Sequence, residues 1–300
     1  KKMEIFKGEN IVDFFDRYQS DIDCLEYLSS IKWGENFECL KCGCKKFTIR
    51  KSNFARDCNM CHHLESPTAG TLFHKVKFGI RKAFIIAFEM TNTTKGISAM
   101  QLSKRLGISR PTAWLFMQKV RIAMKSSEQY PMKGKVTVDE FVFGGKEDLK
   151  QGRSNDSKKK KIAIAVEQDD NGGVKRVYFK KISNYSSEEL TKIFESHISE
   201  NAEIKTDQWT GYKPLKKKYS ITQIKSNTAD FFAINTIVHQ VKAWLRSVYS
   251  YMNEAHIEKY LDEFSFRINR SIHKQTIFHT VIKRLMKSEH IGYKQIKISN

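Results

Sequence analysis

Lys135-Val136-Thr137-Val138-Asp139-Glu140-Phe141-Val142-Phe143-Gly144-Gly145 is the stretch on which the reading of this 300-residue chain turns. Its β-branched and aromatic residues, closed by a glycine pair, predict a strand with two carboxylates at its middle. Before it the apolar spacing is helical; after Glu128 to Lys135 it alternates, so a new domain begins here. Downstream, a polar and basic stretch from Lys146 to Lys161 predicts an exposed hairpin loop, and Ile162 to Val166 and Val174 to Ile182 predict two more strands. A helix follows over Ser186 to Ile198, with Leu190, Ile193, Phe194 and Ile198 on one face. Ala202 to Tyr212 then reads as a short strand ending in Asp207 and a turn at Gly211.

Three strands, a helix and a fourth strand ending in an aspartate is the order of an RNase H-like sheet, in which the first and fourth strands lie side by side and parallel. The predicted class is therefore α/β, with a mixed sheet that brings Asp139 and Asp207 together. Two adjacent carboxylates repel unless a divalent cation neutralises them, and oxygen donors select Mg²⁺ or Mn²⁺. Such a site suits phosphodiester transfer, in which cations help activate a water or a 3′-hydroxyl and stabilise the leaving oxygen.

Working back towards the N-terminus, six cysteines stand at 24, 39, 42, 44, 58 and 61. Cys39-Leu40-Lys41-Cys42 and Cys58-Asn59-Met60-Cys61 are two C-x-x-C knuckles with 15 residues between them, the spacing of a structural zinc site. Disulfides need an oxidising compartment, and nothing here suggests export. Cys24 and Cys44 read as buried or free thiols, and His62 and His63 as competing ligands that four cysteines make unnecessary. Lys45, Lys46, Phe47, Arg50, Lys51, Phe54 and Arg56 predict short strands with a basic face.

Between ribbon and sheet, Ser98 to Trp114 has helix-turn-helix spacing: Ser98 caps one helix, Gly107 permits a turn, Ser109 caps a second and Pro111 sits in its first turn. The second helix offers Arg110, Thr112, Gln118, Lys119 and Arg121 for groove or phosphate contact. An ordinary helical hairpin has the same spacing. The predicted domains are an N-terminal helical segment (1–30), a zinc ribbon (31–72), a helix-turn-helix domain (73–128) and the RNase H-like domain (133–290). In the last, helices over Val238 to Tyr251, Glu254 to Arg270 and Gln275 to Lys287 are expected to cover the sheet, with Arg267, Arg270, Lys283, Arg284 and Lys287 outermost.

The chain carries 53 Lys+Arg against 33 Asp+Glu, a net charge of +20. Such an excess points to a polyanionic partner, because cations that neutralise phosphates release condensed counterions. With 40% hydrophobic residues the chain is no disordered tail. It has no apolar run approaching the roughly 18 residues of a membrane span, no basic amphipathic helix with bulky anchors and no secretory leader. A soluble, cytoplasmic, nucleoid-associated prokaryotic protein is expected, with double-stranded DNA as partner and no membrane.

Taken in order, these residues resemble the insertion-sequence transposases with an N-terminal zinc ribbon and a DDE-type domain, bacterial relatives of the Merlin elements. The likeness rests on the knuckles followed by Ser66-Pro67-Thr68-Ala69-Gly70-Thr71-Leu72-Phe73, on Val138 to Phe141 with Gly144-Gly145, on Thr206 to Tyr212, and on Tyr260 to Arg270. It implies that Asp139 and Asp207 are the first two metal-binding acids. It also implies a Glu, His or Asn seven residues before a lysine, which falls on Asn235 and Lys242, about two helical turns apart on one face. His239 is the alternative third ligand and Asp230 a poorer one. The function implied is a DNA transposase that binds terminal inverted repeats and cuts and joins strands with Mg²⁺ or Mn²⁺, assembled as a homo-oligomer on the element ends and target. A neutral Asn235 keeps a second function open, an inert DNA-binding regulator derived from a transposase. Trp209 and Trp244 suit either stacking on an unpaired base or the core.

Overall fold

The computed structural model describes residues 5–8, 10–93, 95–144, 159–249 and 253–298. Gly145 and nearly all of the predicted hairpin loop lie outside them. In chain order the elements are α1 (Ile11–Arg17), α2 (Asp21–Trp33), β1 (Phe47–Ile49), β2 (Arg56–Cys58), β3 (Leu64–Glu65), α3 (Ile80–Asn92), α4 (Ala99–Leu106), α5 (Arg110–Met124), β4 (Lys135–Phe143), β5 (Lys160–Gln168), β6 (Val174–Ile182), α6 (Ser187–His197), β7 (Glu203–Thr206), β8 (Ile221–Gln223), α7 (Phe232–Val248), α8 (Ile257–Ile268), α9 (Lys274–Lys287) and α10 (Tyr293–Ile298). Contacts gather them into two units, Lys1–Met124 with Ile272–Asn300, and Lys125–Ser271. No helix among the described residues is long and apolar enough to cross a membrane.

In the first unit, aromatic side chains close the core. Phe278 of α9 lies with its ring centre 5.4 Å from Phe14, 5.7 Å from Phe6 and Phe84, and 5.9 Å from Phe88. On the same helix His279 Nδ1 shares a 2.6 Å hydrogen bond with the Tyr27 hydroxyl of α2. These contacts correct the expectation that the helix over 275–287 covers the sheet: its apolar stripe is met by α2 and α3 instead. Arg284, expected on an outer face, donates to the carbonyls of Ala123 and Met124 at 3.3 and 3.4 Å. Because Phe278 has no exposed surface, Phe278→Ala is expected to destabilise this unit by about 3–5 kcal/mol through the cavity it leaves. Denaturant melts of the full chain check this; a shift under about 1 kcal/mol sinks the assignment of α9 to this core.

The second unit is built on a five-stranded mixed sheet of order β6-β5-β4-β7-β8. β4 pairs antiparallel with β5 and parallel with β7, as the order of elements predicts. That arrangement is compatible with an RNase H-like domain. β5 is buried on both faces from Lys161 to Glu167. On one face Ile162, Ile164 and Phe141 pack against α7 and α8 through Ile237, Val241, Trp244 and Phe264. On the other Val136, Val138, Ala163 and Ala165 pack with Leu190, Ile193 and Phe194 of α6. At the end of α8 the Asn269 side chain pairs with β6, accepting from the Val177 N–H at 2.7 Å and donating to its carbonyl at 3.0 Å. Glu258 accepts from the Lys181 N–H of the same strand at 3.2 Å.

Candidate active site

The parallel register runs from Lys135↔Glu203 to Val138↔Thr206. Asp139 and Asp207 are the next residue on each strand, so they stand across from one another where the ladder ends. Strand alternation puts both on the α7 face: Ile204 and Val138 belong to the opposite core, and Lys205 pairs with Asp230, beside the start of α7, at 2.7 Å. Both aspartates are half-buried. Asp139 Oδ1 accepts from the Glu140 N–H at 2.8 Å and Asp207 Oδ1 from the Trp209 N–H at 3.0 Å. Gln223 of β8 donates to the Asp207 and Trp209 carbonyls at 3.1 and 2.8 Å, which fixes the turn after Asp207. Beside it an open cleft of about 380 Å³ is lined by Asp207, Gln208, Trp209, Lys225, Ser226 and Asn227.

On α7, Asn235, His239, Lys242 and Arg246 fall within one narrow stripe at about 100° per residue. The helix buries Ala233, Ile234, Ile237, Val241, Trp244 and Leu245. His239 points almost directly away from that buried stripe; Asn235 and Arg246 are exposed as well, and of the four only Lys242 is half-buried. Lys242 Nζ lies 5.2 Å from the Phe141 ring centre. Burial holds its pKa below the usual lysine value, Arg246 and Lys159 lower it further, and the Asp139 carboxylate acts against them. Asp230, the poorer candidate ligand, is committed to its ion pair with Lys205. Trp244 is a core residue at 7% exposure, and the half-buried Trp209 donates from Nε1 to the Tyr185 carbonyl at 2.9 Å.

The predicted carboxylate pair Asp139-Glu140 is split by the strand: Glu140 points to the other face, where the Tyr212 hydroxyl donates to its Oε1. Burial, then Glu140, Asp139 and Asp207, push the Tyr212 hydroxyl far above its ordinary pKa, which puts all four groups in one electrostatic neighbourhood. The sequence holds Glu140 and Tyr212 72 residues apart, a pairing that no periodicity carries. Arg246 was legible, one turn beyond Lys242.

In the first unit the sulfurs of Cys39, Cys42, Cys58 and Cys61 lie within 4.8 Å of one another. Gly43 at φ +70° and His62 at φ +53° close the two knuckles, donating to the Cys39 and Cys58 carbonyls at 2.9 and 3.0 Å. The Cys61 backbone N–H pulls the Cys58 thiol down to about 6. The Cys44 N–H acts in the same sense on Cys42, yet the hydrogen bond with Cys61 and the other thiols push it up to about 12. Four thiolates cannot coexist here without a cation between them, and four sulfurs at this spacing fit one tetrahedral ion. Cys24 and Cys44 stand outside the quartet. Arg56 departs from the predicted basic face: it is 4% exposed, its guanidinium 4.2 Å from the Phe47 ring centre and donating to the Gly34 carbonyl at 2.7 Å.

Ser98 and Gln101 form a capping box at the start of α4, Gly107 turns the chain at φ +60°, and Ser109 Oγ accepts from the Thr112 N–H at 3.2 Å to start α5. Arg110 is exposed and Thr112 half-exposed. The other three predicted contacts are corrected: Gln118, Lys119 and Arg121 are 0%, 7% and 1% exposed. They lie on the length of α5 that enters the core of its unit, where Lys119 Nζ donates to the Leu72 carbonyl at 3.2 Å.

No curated protein matches the chain. Residues 131–269, the stretch that holds both aspartates, Asn235, Lys242 and the sheet that aligns them, match the model of the ISXO2-like transposase domain.

Proposed function

We propose that the chain is a DNA transposase whose second unit cuts and joins DNA strands and whose first unit holds the element ends. The observation that carries this is the placement of Asp139 and Asp207 side by side at the end of the β4–β7 ladder, within the stretch that matches a transposase domain. Two carboxylates and the Asn235 amide carbonyl are oxygen donors, the set that hard divalent cations take. When bound, Mg²⁺ or Mn²⁺ supplies charge that offsets the carboxylates and the substrate phosphate. Asn235 is taken over His239 because it stands two helical turns before Lys242, on the same face of α7. The Lys242 ammonium, beside Asp139, is placed to pair with phosphate oxygens of the scissile strand, and the cleft at Asp207 gives that strand a path past Lys225.

The quartet takes one structural zinc. Double-stranded DNA is the partner, gripped through α4 and α5, and the working form is a homo-oligomer on paired ends, on the nucleoid of a prokaryotic cell. Strand cleavage of DNA carrying the inverted repeats that flank the gene, with Mg²⁺ or Mn²⁺ present, tests the activity; binding without any cleavage overturns it. For the contact surface, Arg110→Ala is expected to weaken end binding and to reduce the slope of log affinity against log salt by about 1. An unchanged slope in a filter-binding titration removes Arg110 from the interface.

A further inference from the structure

The ladder between β4 and β7 stops at Val138 and Thr206, one residue short of each aspartate. Beyond it the chains part. Asp139 stays in β4, opposite Ile164 of β5, while Asp207 enters a turn that leads into the 3₁₀ helix Thr210–Tyr212. Tyr212 returns beneath β4 on the face away from the acids. Its side chain is wholly buried, 6.1 Å from Phe194 between ring centres, and its hydroxyl donates to Glu140, the residue after Asp139. The bond therefore ties the loop behind Asp207 to the strand behind Asp139, past the last backbone pair.

A polar pair on this face is costly, because Val136, Val138 and Val142 line it and two apolar side chains avoid the desolvation. What apolar packing lacks is direction and length. The turn just before Tyr212 has room only for glycine: a Cβ on Gly211 would meet Trp209 Nε1 at 2.6 Å and the Tyr185 carbonyl oxygen at 2.9 Å. We infer that the Tyr212–Glu140 hydrogen bond is a positioning brace that sets the spacing of Asp139 and Asp207, and through it their affinity for a divalent cation. This rests on the transposase reading of the two acids.

The test is Mn²⁺ binding to the zinc-loaded full chain, read as free Mn²⁺ by electron paramagnetic resonance, with circular dichroism to check folding. Tyr212→Phe, which keeps the ring and removes the hydroxyl, is expected to weaken binding about 10-fold. Glu140→Ala is expected to do the same, whereas Glu140→Gln, whose amide oxygen still accepts from Tyr212, restores most of the affinity. Unchanged binding in Tyr212→Phe, with binding lost in Asp139→Ala, overturns the brace and leaves the metal site standing. Unchanged binding in Asp139→Ala overturns the metal site and the brace with it. A Glu140→Gln chain as weak as Glu140→Ala overturns the brace as well, since charge and not the bond then matters. Should Tyr212→Phe not fold, the comparison of Gln with Ala at 140 decides.

Discussion

Asp139→Ala and Asp207→Ala are each expected to lower metal-dependent strand cleavage about a thousandfold, corresponding to about 4 kcal/mol of lost transition-state stabilisation. Either change leaves one carboxylate and a neutral carbonyl to hold a doubly charged ion, so charge is lost where phosphate charge must be offset. Binding to the element ends should be unaffected, because the proposed end contacts lie on α4 and α5. Nicking of a supercoiled plasmid bearing the ends, resolved on a gel and paired with a mobility shift, separates the two effects. Nicking that survives in either variant removes these acids from the chemistry. Joint loss of nicking and binding, with altered circular dichroism, identifies misfolding instead.

Cys39→Ser carries the second large effect. The ribbon has strands of only two or three residues and a small apolar cluster around Phe37, Cys39 and Cys58. So little buried surface cannot order the segment alone. A structural zinc contributes about 10 kcal/mol or more of binding free energy to such a module, and a serine at 39 removes one of four charged ligands. Metal analysis should find about one zinc per chain, falling towards none in the variant, with rapid proteolysis between residues 39 and 65. A Cys39→Ser chain with full zinc and unchanged protease resistance is incompatible with the quartet as the metal site.

The β4–β7 placement was legible because it follows from local patterns: an alternating strand, a helix of one apolar face, a short strand and a glycine turn. β8 has no signature in the sequence, since three residues give no period. α7 begins at Phe232, six residues before its predicted start, because a 3₁₀ turn over Ala229–Phe231 leads into it and no side-chain cap marks the entry. For α9 the stripe of Ile277, Phe278, Val281, Ile282 and Leu285 shows that a face must be buried; it carries nothing about which element buries it. Lys119, Arg121 and Arg56 failed for a related reason. Charge normally marks a surface, yet long side chains can bury their stems where a carbonyl or an aromatic face receives the charged end. Lys119 finds the Leu72 carbonyl and Arg56 the Phe47 ring.

Asn269 and Glu258 have a consequence for assembly. β6 is the outermost strand on its side of the sheet, and an outermost strand normally offers its unpaired amides to a strand from another molecule. Here the outward amides of Val177 and Lys181 are already taken by side chains from α8. Another chain therefore cannot extend the sheet through this stretch of β6, which leaves β8 as the edge of this sheet at which a strand could be added.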